Sequence, residues 1–124
     1  MGSESNYSAS ELRAVMVTAA KKLKQLYVEE FKPQKIRLCQ LPDQTGSLTI
    51  EQQTLNYRVS VVHNRFVATY ELLSAAKLLF VDYDVAQPND RPELLDQIQA
   101  KMDEVGVMMI MFKDEVQELG EIIK

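Results

Sequence analysis

The apolar residues in the last quarter of the chain recur at alternating steps of three and four positions. Such steps keep apolar side chains on one face of a helix, so the pattern predicts one long helix over residues 91–123. Asp90 can cap this helix, and Pro92 suits its first turn. The stripe fits either a bundle core or a seam that meets a partner helix. Its members are Leu95, Ile98, Met102, Val105, Met109, Phe112, Val116, Leu119 and Ile123.

A second amphipathic pattern predicts a helix over residues 8–31. Ser8 and Glu11 have the spacing of a capping box, which marks a helix start. We expect the helix to end near Phe31, because Pro33 biases the residue before it away from helical backbone. The apolar face consists of Leu12, Val15, Met16, Ala19, Leu23, Leu26 and Tyr27.

The middle of the chain carries two competing patterns. The β-branched residues of 59–67 favour a strand, whereas the longer repeat favours a helix over residues 54–82, which is our prediction. The helical repeat is Leu55, Val59, Val62, Phe66, Thr69, Leu73, Ala76 and Phe80. A second apolar row follows another face, namely Val61, Ala68, Leu72, Ala75 and Leu79. A helix with two apolar faces has to be covered twice, so we expect this one in the middle.

Residues 35–51 predict a small β-hairpin between helices one and two. Ile36, Leu38 and Leu41 alternate loosely with polar residues, and the segment from Pro42 to Gly46 is rich in turn-forming residues. A hairpin this short needs a helix face for support.

These elements predict a mainly α protein, an elongated three-helix bundle with a small β-hairpin. With 124 residues, the chain fits a single helical domain over residues 8–124. Residues 1–7 are polar and are expected to form a disordered tail. No apolar run approaches the length of a membrane span, and the lone Cys39 suits a reducing compartment. We therefore expect a soluble, cytoplasmic protein.

Candidate chemistry is sparse. The chain has one histidine, His63, and one cysteine, Cys39, whereas metal sites built from these residues need several ligands. His63 lies in an apolar run and is interpreted as a helix-surface or boundary residue. The four glycines are not grouped, so no phosphate-binding loop is present. We predict no catalytic residues, no cofactor and no metal site, and hence a non-enzymatic protein.

The apolar run from Val107 to Phe112 points to binding as the function. Six consecutive apolar residues surround the last helix, and exposure of part of this girdle would create an interface. Methionine adapts to varied partners, although it also fills gaps in cores. We predict an adaptor, assembly factor or chaperone-like module that forms a homodimer through this helix, unless the hairpin covers the girdle. The predicted interface comprises Val105, Met108, Met109, Met111 and Phe112, with Glu115 and Glu118 as rim charges.

The uneven charge distribution supports an alternative. The net charge is -4, yet the first third of the chain is basic and the remainder is acidic. Several cations on one helix face would suit phosphate contacts, which suggests a regulator that binds nucleic acid. The acidic pI near 5.0 argues against this alternative. Its candidate contacts are Lys21, Lys22, Lys24, Lys32, Lys35 and Arg37.

Overall fold

The computed structural model describes residues 8–38 and 48–123, which are helical almost throughout. The predicted mainly α bundle is confirmed for these residues, while the predicted tail over residues 1–7 lies outside them. None of the helices in the described part combines the length and apolar character needed to cross a bilayer. The elements in chain order are α1 (Ala9–Gln25), a π-helical turn (Leu26–Phe31), α2 (Lys32–Leu38), α3 (Ile50–Val85) and α4 (Arg91–Ile123).

Local capping explains where two of the helices begin. The predicted capping box of α1 is present, because the Glu11 backbone N–H donates to Ser8 Oγ at 3.2 Å and the Ser8 N–H donates to Glu11 Oε1 at 2.8 Å. Helix α3 begins at Ile50, before the predicted position 54, since Thr49 Oγ1 accepts a hydrogen bond from the Gln52 N–H at 3.0 Å.

Helix α1, the π-helical turn and α2 follow one another without a break over residues 9–38, which we call the first helical segment. This segment continues past Pro33, so the predicted end near Phe31 is wrong. The Lys32 N–H donates to the carbonyl oxygen of Tyr27, five residues earlier, which is the wide turn of a π-helix. A proline inside an α-helix lacks an N–H and collides with the carbonyl four residues before it. We attribute the uninterrupted helical path to the π-helical turn, which relieves that collision and places the buried Phe31 and Leu38 in the core.

The predicted β-hairpin over residues 35–51 is wrong in the part that the structure describes, which contains no strand. Residues 35–38 belong to α2, and residues 50 and 51 begin α3. The alternation was misleading, because on a helix Ile36 faces solvent at 71% exposure while Leu38 packs into the core. The Leu38 carbonyl accepts a hydrogen bond from Gln52 Nε2 at 2.6 Å, which ties the end of α2 to α3. Cys39 and the predicted turn lie outside the described residues.

Helices α3 and α4 form the long antiparallel pair of the bundle. Arg58 lies beside Glu118 at one end, and Arg91 lies over the Tyr83 ring at the other. The first helical segment contacts both α3 and α4, so it packs across the line along which these two helices meet. The predicted arrangement had it packed against a central α3. Residues 59–67 are helical, as the longer repeat predicted. The second apolar row of α3, expected to be covered by another helix, is only half-buried.

One face of each helix contributes to the core. On α4, the helical periodicity correctly predicted the buried residues from Ile98 to Leu119, although Met109 is only half-buried. The buried side chains of the described residues are apolar apart from Thr69, whose hydroxyl donates a hydrogen bond to the Arg65 carbonyl at 2.7 Å. The buried apolar residues are Leu12, Leu23, Phe31, Leu38, Val59, Val62, Leu73, Ala76, Phe80, Ile98, Met102, Val105, Phe112, Val116 and Leu119.

Candidate functional site

The predicted apolar anchors of α4 divide between its inner and outer faces. Val105 and Phe112 are buried in the core at 1% and 0% exposure, and Met109 packs against that core. Met108 is half-buried, whereas Met111 is 37% exposed. Within the monomer, Met111 is therefore the predicted anchor most available to a partner.

The predicted rim charges are engaged by arginines of α3. Arg65 donates from Nε and Nη2 to the two carboxylate oxygens of Glu115, at 3.1 and 3.0 Å. The hydrogen bonds to Glu115 raise the pKa of Arg65 above its ordinary value. Arg58 lies 3.6 Å from Glu118 in a more exposed pair. Both carboxylates therefore connect α4 to α3 within one chain.

The outer face of α4 carries an apolar strip that the sequence analysis did not separate from the girdle. Val107 and Ile110 are 59% and 64% exposed, and Met111 borders them. Asp103 and Asp114 are both exposed and lie on the same face. Asp103 is one turn before Val107, and Asp114 is one turn after Ile110. Ile110 also borders a shallow depression shared with the first helical segment. The α4 strip is the name we give to Asp103, Val107, Ile110, Met111 and Asp114.

An open groove with a volume of about 730 Å³ lies between α3 on one side and α1 with the following π-helical turn on the other. It follows about 18 Å of α1 and the π-helical turn, from Met16 to Val28, and about 17 Å of α3, at roughly 1.5 Å per residue. No residue of α4 contributes to it. Its apolar lining residues are Met16, Val17, Ala20, Leu23, Tyr27, Val28, Phe66, Tyr70 and Leu73, and Ser74 is its neutral polar residue. We call this cavity the α1–α3 groove.

Three lysines border the α1–α3 groove, and no carboxylate lines it. Lys21 and Lys24 belong to α1, and Lys77 belongs to α3. All three are exposed, and none forms a salt bridge within the described residues. An apolar floor with unpaired cations at its edge is suited to an apolar helix face bordered by carboxylates.

The six cations predicted to contact nucleic acid do not share one surface. Lys21 and Lys24 line the α1–α3 groove, whereas Lys22 lines the depression on the α4 side of α1, together with Glu29 and Glu30. The exposed Lys32 and Arg37 and the half-buried Lys35 belong to α2. Lys77 was not predicted as a contact residue, although it follows Phe66, Tyr70 and Leu73 at helical spacing.

The π-helical turn brings aromatic rings together at the end of the groove that Tyr27 and Phe66 line. The Tyr27 ring lies 4.3 Å from the Phe66 ring and 6.0 Å from the His63 ring, measured between centroids. Burial, followed by the charge of Lys35, lowers the pKa of His63 below its ordinary value. His63 is half-buried at the bundle boundary, as its sequence position predicted. The described residues contain no group of three or more side chains suited to hold a metal ion.

Comparisons of the chain with known protein families, with curated proteins and with solved structures found no match. The α1–α3 groove and the α4 strip are therefore the features of this chain that bear on its function.

Proposed function

We propose that this protein is a non-enzymatic interaction module whose α1–α3 groove binds an amphipathic helix with carboxylates beside its apolar face. The observation that supports this proposal is the combination of an apolar lining with three unpaired lysines and no lining carboxylate. The groove also has the volume typical of binding sites, and its two antiparallel helical walls suit a docked helix. The module acts in the cytoplasm in this proposal, consistent with its lone cysteine.

Apolar burial supplies affinity in this proposal, and the lysines select the partner. Leu23 and Leu73 close the floor of the groove, while the exposed Tyr70 offers a large amphipathic contact surface. Charge pairs at the rim of an interface affect selectivity and association rate more than total affinity. A helix with lysines beside its apolar face would meet like charges and should be rejected.

A tryptophan reporter tests the proposal directly. The chain contains no tryptophan, so Tyr70→Trp introduces a single tryptophan in the groove, whose emission can be excited separately from that of the tyrosines. The probe is a designed helical peptide with a leucine face bordered by glutamates, and a matched peptide carries lysines instead. We expect the acidic peptide to shift the tryptophan emission to shorter wavelength and the basic peptide to leave it unchanged.

Two charge variants with equal net charge complete this test. The groove variant, Lys21→Glu/Lys24→Glu/Lys77→Glu, should weaken acidic-peptide binding at least about tenfold, since it replaces attraction by repulsion. The matched control, Lys32→Glu/Lys35→Glu/Arg37→Glu, alters three cations of α2 that line neither the groove nor the depression beside Ile110, and it should bind like the parent. The proposal is overturned if neither peptide binds or if both variants lose binding equally.

The nucleic-acid alternative predicts a different result from the same two variants. Phosphate contacts would be lost in both, because each removes cations from the candidate set, and binding would fall steeply with salt. Salt-dependent binding of a labelled DNA duplex or single-stranded RNA, without any response to the acidic peptide, would support that alternative.

A further inference from the structure

We propose that the helix received by the α1–α3 groove is the α4 strip of a second copy of this chain, so that the protein assembles head to tail. This inference depends on the proposed function, because it names the partner of the same groove. The two surfaces belong to different helices, and each has the features that the other lacks.

Charge complementarity provides the first argument. The α1–α3 groove presents Lys21, Lys24 and Lys77 without a lining carboxylate. The α4 strip presents an exposed apolar pair between Asp103 and Asp114, neither of which forms a salt bridge within the described residues. Docking of the strip would place carboxylates beside cations and cover apolar surface on both sides.

Matching lengths provide the second argument. Asp103 and Asp114 are separated by about 17 Å along α4, at roughly 1.5 Å per residue. The α3 wall of the groove, from Phe66 to Lys77, has the same length, because it also spans eleven helical steps. The apolar centre and both acidic ends of the strip therefore fit within one groove.

The same charges oppose a symmetric contact between two α4 strips. In an antiparallel pair centred on Val107 and Ile110, Asp103 of one copy would lie near Asp114 of the other. Like charges in direct opposition are unfavourable, so two strips repel at both ends. The homodimer predicted from the sequence is accordingly replaced by a contact between unlike surfaces.

The positions of the two surfaces determine the kind of assembly. The groove is lined by α1, the π-helical turn and α3, without any residue of α4. The strip lies on the face of α4 opposite its buried Val105 and Phe112. Each copy can therefore offer its strip to one neighbour and its groove to another. A contact between unlike surfaces that does not close by rotation continues as an open chain of subunits.

Sedimentation equilibrium of the full chain tests this inference. The weight-average mass of the wild type should rise past twice the 14.2 kDa chain mass between about 1 µM and about 1 mM. The groove variant and the strip variant Ile110→Glu should each remain monomeric, because each retains only one of the two surfaces. The α2 control variant should assemble like the wild type, because it retains both surfaces. Circular dichroism establishes that every variant is folded.

Mixing the two monomeric variants gives the decisive result. The intact strip of the groove variant fits the intact groove of Ile110→Glu, while the remaining two surfaces repel, so the mixture should stop at a 1:1 heterodimer. A symmetric α4 dimer would instead leave the groove variant dimeric, and its mixture with Ile110→Glu would form no new complex. That outcome overturns the inference.

Failure of this inference is distinguishable from failure of the proposed function. If the wild type is monomeric at all concentrations and Tyr70→Trp still responds to the acidic peptide, the groove binds a helix but the second copy is not its partner. If the wild type is monomeric and the peptide also has no effect, both proposals fail.

Discussion

The inner and outer faces of α4 carry similar residue types in different surroundings. On the inner face and its edge, Phe112 is fully buried and Glu115 is held by two hydrogen bonds from Arg65. On the outer face, Ile110 is exposed, and Asp114 has no salt-bridge partner within the described part of the chain. The comparison separates side chains that stabilise the monomer from those that remain available to a second molecule.

The largest expected difference between the two faces is in apolar packing. Phe112→Ala should lower the free energy of unfolding by about 3–5 kcal/mol, because it leaves a cavity between the rings of Phe31 and Phe66. Ile110→Ala should change it by about 0.5 kcal/mol or less, since its side chain is already in water. Urea unfolding followed by circular dichroism, at a concentration where the wild type is monomeric, measures both values. Equal losses would show that the distinction between the faces is wrong.

The carboxylates of the two faces should differ by a smaller amount. Glu115→Gln should cost about 1–2 kcal/mol, since it removes the charge from a paired hydrogen bond whose partners are only 27% and 25% exposed. Asp114→Asn should alter the free energy of unfolding by about 0.5 kcal/mol or less, yet weaken assembly. The unfolding measurement also provides a double-mutant cycle with Arg65→Gln, whose coupling energy tests whether the loss comes from this pair. A cycle without coupling would contradict the assignment.

Helical periodicity predicted the core of α4 well because burial and the 3.6-residue repeat select the same positions. The stripe residues from Ile98 to Leu119 are buried, with Met109 half-buried. The end of the first helix was mispredicted, since the local preference at Pro33 was outweighed by the packing of Phe31 and Leu38. A local rule cannot include that tertiary gain.

The candidate site was less predictable because its parts come from distant segments. The lysines of α1 were recognised as a cluster, but Lys77 joins two of them only when α1 lies against α3. Glu115 was interpreted as a rim charge, whereas its partner Arg65 is fifty residues earlier in the sequence. Periodicity indicates which face of a helix is apolar, but it does not indicate which charged residues of another helix will lie beside it.

The two glycines of α4 provide a finer comparison. A Cβ at Gly106 would meet no atom within 4 Å, so Gly106→Ala should raise the free energy of unfolding by about 1 kcal/mol through helix propensity alone. A Cβ at Gly120 would lie 3.0 Å from Gln34 Nε2, so Gly120→Ala requires that side chain to move and should gain less than half as much. Thermal unfolding of the two variants measures the difference. Equal gains would mean that α2 does not pack closely against α4 at Gly120.

The smallest expected effect is a pH dependence of stability that arises from His63. This residue belongs to the aromatic cluster that packs against Phe112 on the inner face of α4. The pKa of His63 is lowered first by burial and then by Lys35, so the unfolded chain binds a proton more readily than the folded one. This contribution to stability is complete above the unfolded pKa of about 6.5 and is lost as the pH falls through the lower folded value.

Thermal unfolding between about pH 7.5 and about pH 5.5 should therefore show a melting temperature that decreases on acidification, with a smaller decrease in His63→Gln. Lys35→Gln should retain part of the decrease, because it removes only the second cause. The rings of Tyr27, Phe31 and Phe66 around His63 provide its apolar surroundings, and Lys35→Gln leaves these rings unchanged in sequence. If the decrease vanished in Lys35→Gln, charge repulsion would account for the whole effect, and the partial burial of His63 beside the π-helical turn would not contribute to it.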